Sequence, residues 1–233
     1  MQRLYLRKYN NIISTWKIER VIRKHKLYPD KKKAYRIAVC IKKAKQKPKL
    51  RIQNLQKQPK LWFLIHLDTI VIYCGNIKRY ILTAVDRHGK FAYARMCKTK
   101  SSYVAKDFLY RLHYLLQEQI PNIQTDEGSE FKGKFDQALE ELDILHWYSR
   151  VRTPKDNSPV ERFNETLEYE WLNWGSFDSD QHRFNKNLTK WLIEYNFVRP
   201  HQSLDYQTPI EYIEKEQGKH KDLLPMWSAT TDY

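Results

Sequence analysis

Hydrophobic and polar positions divide this chain near residue 61. Before that point apolar residues are scattered among basic ones. After it they fall into blocks whose period alternates between that of a strand and that of a helix. Residues 61–67 (Leu-Trp-Phe-Leu-Ile-His-Leu) form an apolar run ending at Asp68, which predicts a first strand. Residues 80–85 and 90–96 predict two more, joined by the turn Asp86-Arg87-His88-Gly89 into an antiparallel meander. Val104, Phe108, Leu112, Leu115 and Leu116 share one face over residues 101–119, so that segment reads as a helix, broken by Pro121 and Asn122. A short strand over 123–125 leads to Asp126, a helix spans 131–142, and a fifth strand covers 144–148. A loop with Pro154 then precedes a helix carrying Glu161, and a last long helix covers 181–195. Three antiparallel strands followed by alternating helices and strands predict a mixed α/β fold. Its five-stranded sheet is flanked by helices, with the Asp68 strand central.

The first sixty residues differ in kind. They hold 20 Lys and Arg against two acids, Glu19 and Asp30, and so carry +18 of the chain's net +15; the remainder is slightly negative. Residues 11–25 predict one short amphipathic helix capped by Ser14 or Thr15. Ile18, Val21 and Ile22 lie on one side and Lys17, Arg20 and Lys24 on the other. Residues 31–60, with their lysine runs, read as a basic linker. The expected organisation is therefore a small basic helical region over 1–30, a linker over 31–60, a core over 61–213 and a tail over 214–233. Clustered positive charge suits a polyanion, of which nucleic acid is the commonest, although a solvated arm has the same composition. No apolar run approaches a membrane span, and no signal peptide is evident. Cys40, Cys74 and Cys97 stand far apart, which argues against a disulfide framework or a Cys-x-x-Cys zinc site. A cytoplasmic setting is expected.

Three acids lie where two-metal phosphoryl-transfer chemistry would need them: Asp68, Asp126 and Glu161. Carboxylates from three separate elements can hold two divalent cations, Mg²⁺ or Mn²⁺, and such a pair drives in-line displacement at a phosphate. Each acid also has an ordinary reading. Asp68 could simply end a strand. Asp126 precedes turn-forming Glu127-Gly128-Ser129. Glu161 fits a capping box, with Ser158 at N-cap and Pro159 at N1. Asp86 reads as a turn residue and His66 as a core histidine. Lys155 and Arg162 flank Glu161 and are candidates for holding DNA phosphates.

Residues 125–131, 154–164 and 195–209, taken with the three acids, together resemble the DDE superfamily of insertion-sequence transposases and retroviral integrases. Thr125-Asp126-Glu127-Gly128-Ser129-Glu130-Phe131 is close to T-D-N-G-S-E-F, with Glu127 in place of Asn. Residues 154–164, Pro-Lys-Asp-Asn-Ser-Pro-Val-Glu-Arg-Phe-Asn, are close to P-x-D-N-A-x-x-E-R-F-N. Tyr195-Asn196, Arg199-Pro200-His201 and Leu204 match the Y-N-x-x-R-P-H-x-x-L that closes such cores, and Thr208-Pro209 continues it. The resemblance covers residues 61–213 and implies an RNase H-like fold in which Asp68, Asp126 and Glu161 bind two metal ions. It implies a DNA contact at Asn157, DNA ends and target as partners, a homodimer or larger multimer on DNA, and a bacterial, nucleoid-associated setting. Residues 14–27 resemble a helix-turn-helix recognition helix. Since complete modules normally precede it, a shortened copy is expected. A transposase and a non-catalytic DNA-binding remnant are thus the rival expectations. An RNase H-type nuclease, the third, is disfavoured by the Tyr-Asn…Arg-Pro-His tail.

Overall fold

The computed structural model describes residues 1–27, 31–44, 48–117, 119–150, 153 and 156–217. Met1–Pro48 and Lys49–Tyr233 are separate compact units. The first contains α1 (Gln2–Tyr9), α2 (Thr15–Lys24) and α3 (Lys31–Ala44). Ser14 caps α2, its hydroxyl accepting from the Lys17 N–H at 3.3 Å. Ile18 and Ile22 are half-buried, while Lys17, Arg20 and Lys24 are exposed, with the Arg20 guanidinium 5.3 Å from the Trp16 ring centroid. Two helices were missed in the sequence reading: α1, too short and basic to show a clear apolar stripe, and α3, inside the expected linker.

The second unit is built on a six-stranded sheet ordered β1-β6-β5-β2-β3-β4. The strands are β1 (Leu50–Arg51), β2 (Ile65–Cys74), β3 (Ile77–Asp86), β4 (Ala92–Cys97), β5 (Asn122–Thr125) and β6 (Leu145–Tyr148). The strand beyond the expected five is β1, two residues paired in parallel with Trp147 and Tyr148. Nothing so short leaves a period to read. A second correction concerns Asp68, which does not end its strand. β2 continues through Thr69, Ile70, Val71 and Ile72, and Asp68 pairs with Thr83 of β3 in its middle. β-Branched residues at four consecutive positions favour this extended form. β2 lies inside the sheet, antiparallel to β3 and parallel to β5.

The helices are α4 (Ser102–Leu115), α5 (Lys134–Glu141), α6 (Ser158–Glu170), α7 (Gln181–Phe197) and α8 (Pro209–Gln217). α6 packs on β2 and β3, α7 on β4, and α4 on α5. Phe163 of α6 is buried against Trp191 and Tyr195 of α7. β4 is an edge strand whose free backbone groups would need partners. Two asparagines of α7 supply them. The Asn185 amide bonds Met96 N–H and C=O at 2.8 and 3.1 Å, and Asn196 does the same for Ala92 at 2.9 Å each.

Two ionisable groups are buried at the end of this sheet. Asp86 turns the β3–β4 hairpin by accepting the Gly89 N–H, as a turn residue should. Burial pushes its carboxyl up to about 7 from 3.8. Burial foremost, then the charge of Arg87, pushes His66 down to about 3 from 6.5, against an opposing pull from Asn157. The folded chain holds the Asp86 proton more tightly than the unfolded chain, so this group makes stability fall as pH rises from 3.8 to about 7. It holds the His66 proton less tightly, so that group makes stability rise between about 3 and 6.5. The two slopes oppose each other. Asp86→Asn should therefore give a protein whose stability climbs more steeply with pH through this window than the wild type's. Thermal melts across pH 4 to 8 (roughly the span of both titrations) check this, and superimposable profiles would count against it.

Candidate active site

Asp68 and His66, two residues apart on β2, face the same side of the sheet, toward α6. His66 is fully buried beside Asn157. Asp68 is half-buried. Its Oδ1 accepts the Thr69 N–H at 2.8 Å and its Oδ2 accepts Nδ2 of Asn164 at 2.9 Å. Asn164 lies three residues after Glu161 on α6, so the two share a helix face. That bond docks the Glu161 face of α6 onto Asp68. Asp126 follows the last residue of β5, the parallel neighbour of β2. The three acids thus come from a strand centre, a strand end and a helix. Burial raises the pKa of Asp68, and the negative charges of Asp126 and Glu161 raise it further.

The capping reading of Glu161 is not what the structure has. Asn157 occupies the N-cap of α6, no side chain caps it, and Ser158 is the first helical residue. Among the described residues no hydrogen bond reaches the Glu161 carboxylate.

The Asp126 loop is held from both sides. The Thr125 hydroxyl donates to the Asp126 carbonyl at 2.7 Å and is 2.9 Å from His146 Nε2, whose Nδ1 is 3.0 Å from Asp136. The Gly128 N–H donates to Asp126 Oδ1 at 2.8 Å. A Cβ on Gly128 would stand 2.7 Å from Glu130 Oε2 and 2.8 Å from Asp126 Oδ1, so only glycine allows both carboxylates to close around that backbone. Glu130 is buried and reaches the other face of β2, where its Oε1 accepts from Thr69 Oγ1 and Lys100 Nζ, both at 2.9 Å. Glu127, the departure from the family pattern, pairs with Lys49 at 2.9 Å and Arg51 at 2.8 Å, both contributed by or next to β1. These bonds hold its carboxyl below the usual range. Its extra negative charge beside the site is therefore matched locally.

The segment leading into α6 is tied down by Asp156, which accepts from Arg150 Nε and Nη2, both at 2.9 Å. Gln124 also donates to the Asp156 carbonyl at 2.7 Å. Asn157 is buried rather than presented at the surface. Arg162 is exposed on the side of α6 away from Asp68, and Lys155 lies outside the described residues. Asn164, Glu130, Asp156 and Gln124 were not singled out in the sequence. For Asn164 the signal was available, in its spacing of one helical turn from Glu161.

Among the described residues no three His, Cys, Asp or Glu side chains are turned together so as to enclose a metal ion. Both oxygens of Asp68 and one of Asp126 are instead engaged by N–H donors.

Residues 142–209 match the integrase core domain family. They include Glu161 and the Tyr-Asn…Arg-Pro-His segment. Over 113 residues the chain is 33% identical to a protein of Spiroplasma virus SpV1-C74 named as an integrase, covering 40% of this chain and 29% of that one. It is 28% identical over 92 residues to the transposase of insertion sequence element IS904 from Lactococcus lactis, covering 39% of this chain and 36% of the relative. The chain thus spans well under half the length of these curated relatives.

Solved structures agree in fold. The core resembles the HTLV-2 integrase catalytic core domain in complex with magnesium, with a TM-score of 0.54, 18% identity, and coverage of 65% of this chain and 96% of that one. It also resembles a chain of the simian T-cell lymphotropic virus intasome, with a TM-score of 0.55, 20% identity, and coverage of 72% and 58%. The RNase H-like architecture expected from the motifs is the one found. Among the described residues no helix is long and apolar enough to cross a membrane.

Proposed function

We propose that this chain carries an integrase core and is a polynucleotidyl transferase that cleaves DNA at the ends of a mobile element and joins the new 3′-hydroxyl to target DNA. Asp68, Asp126 and Glu161 are its metal-binding carboxylates. The observation that carries this reading is the Asn164–Asp68 bond, which brings the Glu161 face of α6 to Asp68, where the charges of Asp126 and Glu161 both bear on it. Close, partly desolvated carboxylates repel one another, and a hard divalent cation with oxygen preference relieves that repulsion. The donor set therefore fits Mg²⁺ or Mn²⁺, two per site, with the N–H donors now on Asp68 and Asp126 exchanged for the ions. When bound, the ions would supply activation of the attacking oxygen and charge neutralisation at the leaving oxygen.

The chain's own residues do the positioning. β2 fixes Asp68 in the middle of the sheet. Thr125 and Gly128 hold the Asp126 loop, and Asn164 sets the rotation of α6 that places Glu161. Lys17, Arg20 and Lys24 on α2 contact DNA, and Lys155, Asn157 and Arg162 serve the strand near the acids, Asn157 from beneath. The working species is a homodimer or larger multimer on DNA in the bacterial cytoplasm.

Incubation of DNA bearing the flanking ends of the gene's own element with Mg²⁺ or Mn²⁺ tests this. The wild type should nick at the ends and Glu161→Gln should not, with DNA binding retained in both. Binding without nicking by the wild type would replace this reading with that of a non-catalytic DNA-binding protein.

A further inference from the structure

Behind α6, on the side away from Asp68, a cavity of about 280 Å³ is lined by four basic side chains from three parts of the core. Arg87 and Lys90 come from the β3–β4 hairpin, Arg162 from α6, and Arg199 from the segment after α7. Ser158, Ser203 and His201 add polar groups to the same wall. Arg199 is already paired, its guanidinium meeting Glu170 at 2.6 to 3.2 Å. No carboxylate forms an ion pair with Arg87, Lys90 or Arg162 among the described residues. Lys90 donates instead to the Arg87 carbonyl at 2.6 Å. The acid nearest in sequence, Asp86, is buried and bonded to Gly89. Burial foremost lowers the pKa of Lys90, Asp86 pulls it back up, and the like charges of Arg87 and Arg162 lower it further. Lys90 also holds a left-handed backbone conformation at φ 59°, one a lysine rarely adopts. Asp86 is the one counter-charge that acts on Lys90, and Arg87 and Arg162 add two more cations at the cavity, an excess of positive charge that a bound anion would offset.

We infer that this cavity is a phosphate site, occupied by a backbone phosphate of bound DNA and gripped by Arg87, Lys90 and Arg162. Guanidinium groups bond phosphate oxygens two at a time, and the serine hydroxyls complete the shell. DNA is the favoured source because Arg162 directly follows Glu161. A strand engaged at the three acids passes within one helix diameter, about 10 Å, of the cavity. This choice of source rests on the proposed function; the phosphate chemistry of the cavity does not.

The test uses the full chain in EDTA, so that binding is read without cleavage. A fluorescent duplex is titrated against wild type, Arg87→Gln, Lys90→Gln and the charge-retaining Lys90→Arg at several salt concentrations, and tripolyphosphate binding is followed by calorimetry. Each glutamine variant should bind DNA more weakly and reduce the slope of log affinity against log salt by about one, with Lys90→Arg close to wild type. Loss of tripolyphosphate binding with an unchanged DNA slope would keep the phosphate site but overturn DNA as its source. Unchanged binding of both probes, or a loss that Lys90→Arg shares, would overturn the site. Should the wild type prove unable to nick DNA while the glutamine variants still lower the slope, the catalytic reading fails and this one stands.

Discussion

Asp68→Asn is expected to abolish metal-dependent DNA cleavage and, in the same protein, to raise the melting temperature measured without metal. Both effects have one cause. Asp68 is the acid on which burial and the charges of Asp126 and Glu161 converge, so without a cation its ionised form is disfavoured. An amide removes that repulsion. It also keeps the local bonding. The 68 carbonyl can still accept from Thr69, and the Asn164 amide can turn to offer its Oδ1, which has no partner at present. With the carboxylate gone, a metal ligand is lost, and with it the hold on a cation that would offset charge at the reacting phosphate. Removal of one such preorganised group costs on the order of 10³-fold in rate. Nicking assays alongside melts in EDTA check the pair of effects. Nicking that survives would remove Asp68 from the site. A lower melting temperature would mean that its hydrogen bonds outweigh the repulsion.

Asn196→Ala should be the most damaging small change in the fold. The side chain is fully buried and satisfies both backbone groups of Ala92 on the outer edge of β4, which α7 covers. Alanine would leave a buried N–H and a buried C=O without partners, at a cost of roughly 2–4 kcal/mol. Asn185, eleven residues earlier on α7, bonds Met96 in the same way and would keep the helix docked at its other end. Chemical denaturation should therefore show a lower midpoint with little change in slope. A loss below about 1 kcal/mol, the worth of one ordinary hydrogen bond, would contradict this role. The pairing also gives a physical reason for asparagine in the Tyr195-Asn196 motif, since the amide supplies the missing neighbour strand's donor and acceptor.

What could be read from the sequence depended on distance along the chain. The meander, α4, α5 and α6 were legible because their periods are local. The acids stood out because their flanking motifs are local as well. β2 was cut short at Asp68 because Leu61–Leu67 is the more apolar stretch, although the β-branched residues continue the strand to Cys74. β1 has two residues and exists only through its pairing with β6. The neutralisation of Glu127 needs Lys49 and Arg51 brought from more than seventy residues away. The Arg87, Lys90 and Arg162 cavity likewise has no signature in any single segment. Capping chemistry misled in one place, where Ser158 looked like the N-cap of α6 and Asn157 holds that position.

The proposed function requires that Asp68, Asp126 and Glu161 form one divalent-metal site. Manganese binding followed by electron paramagnetic resonance of the free ion tests it without a DNA substrate. Saturable Mn²⁺ binding by the wild type, lost in Asp68→Asn and weakened in Glu161→Gln, is the result predicted. Wild-type protein that binds no Mn²⁺, or variants that bind it as well as the wild type, would contradict the claim.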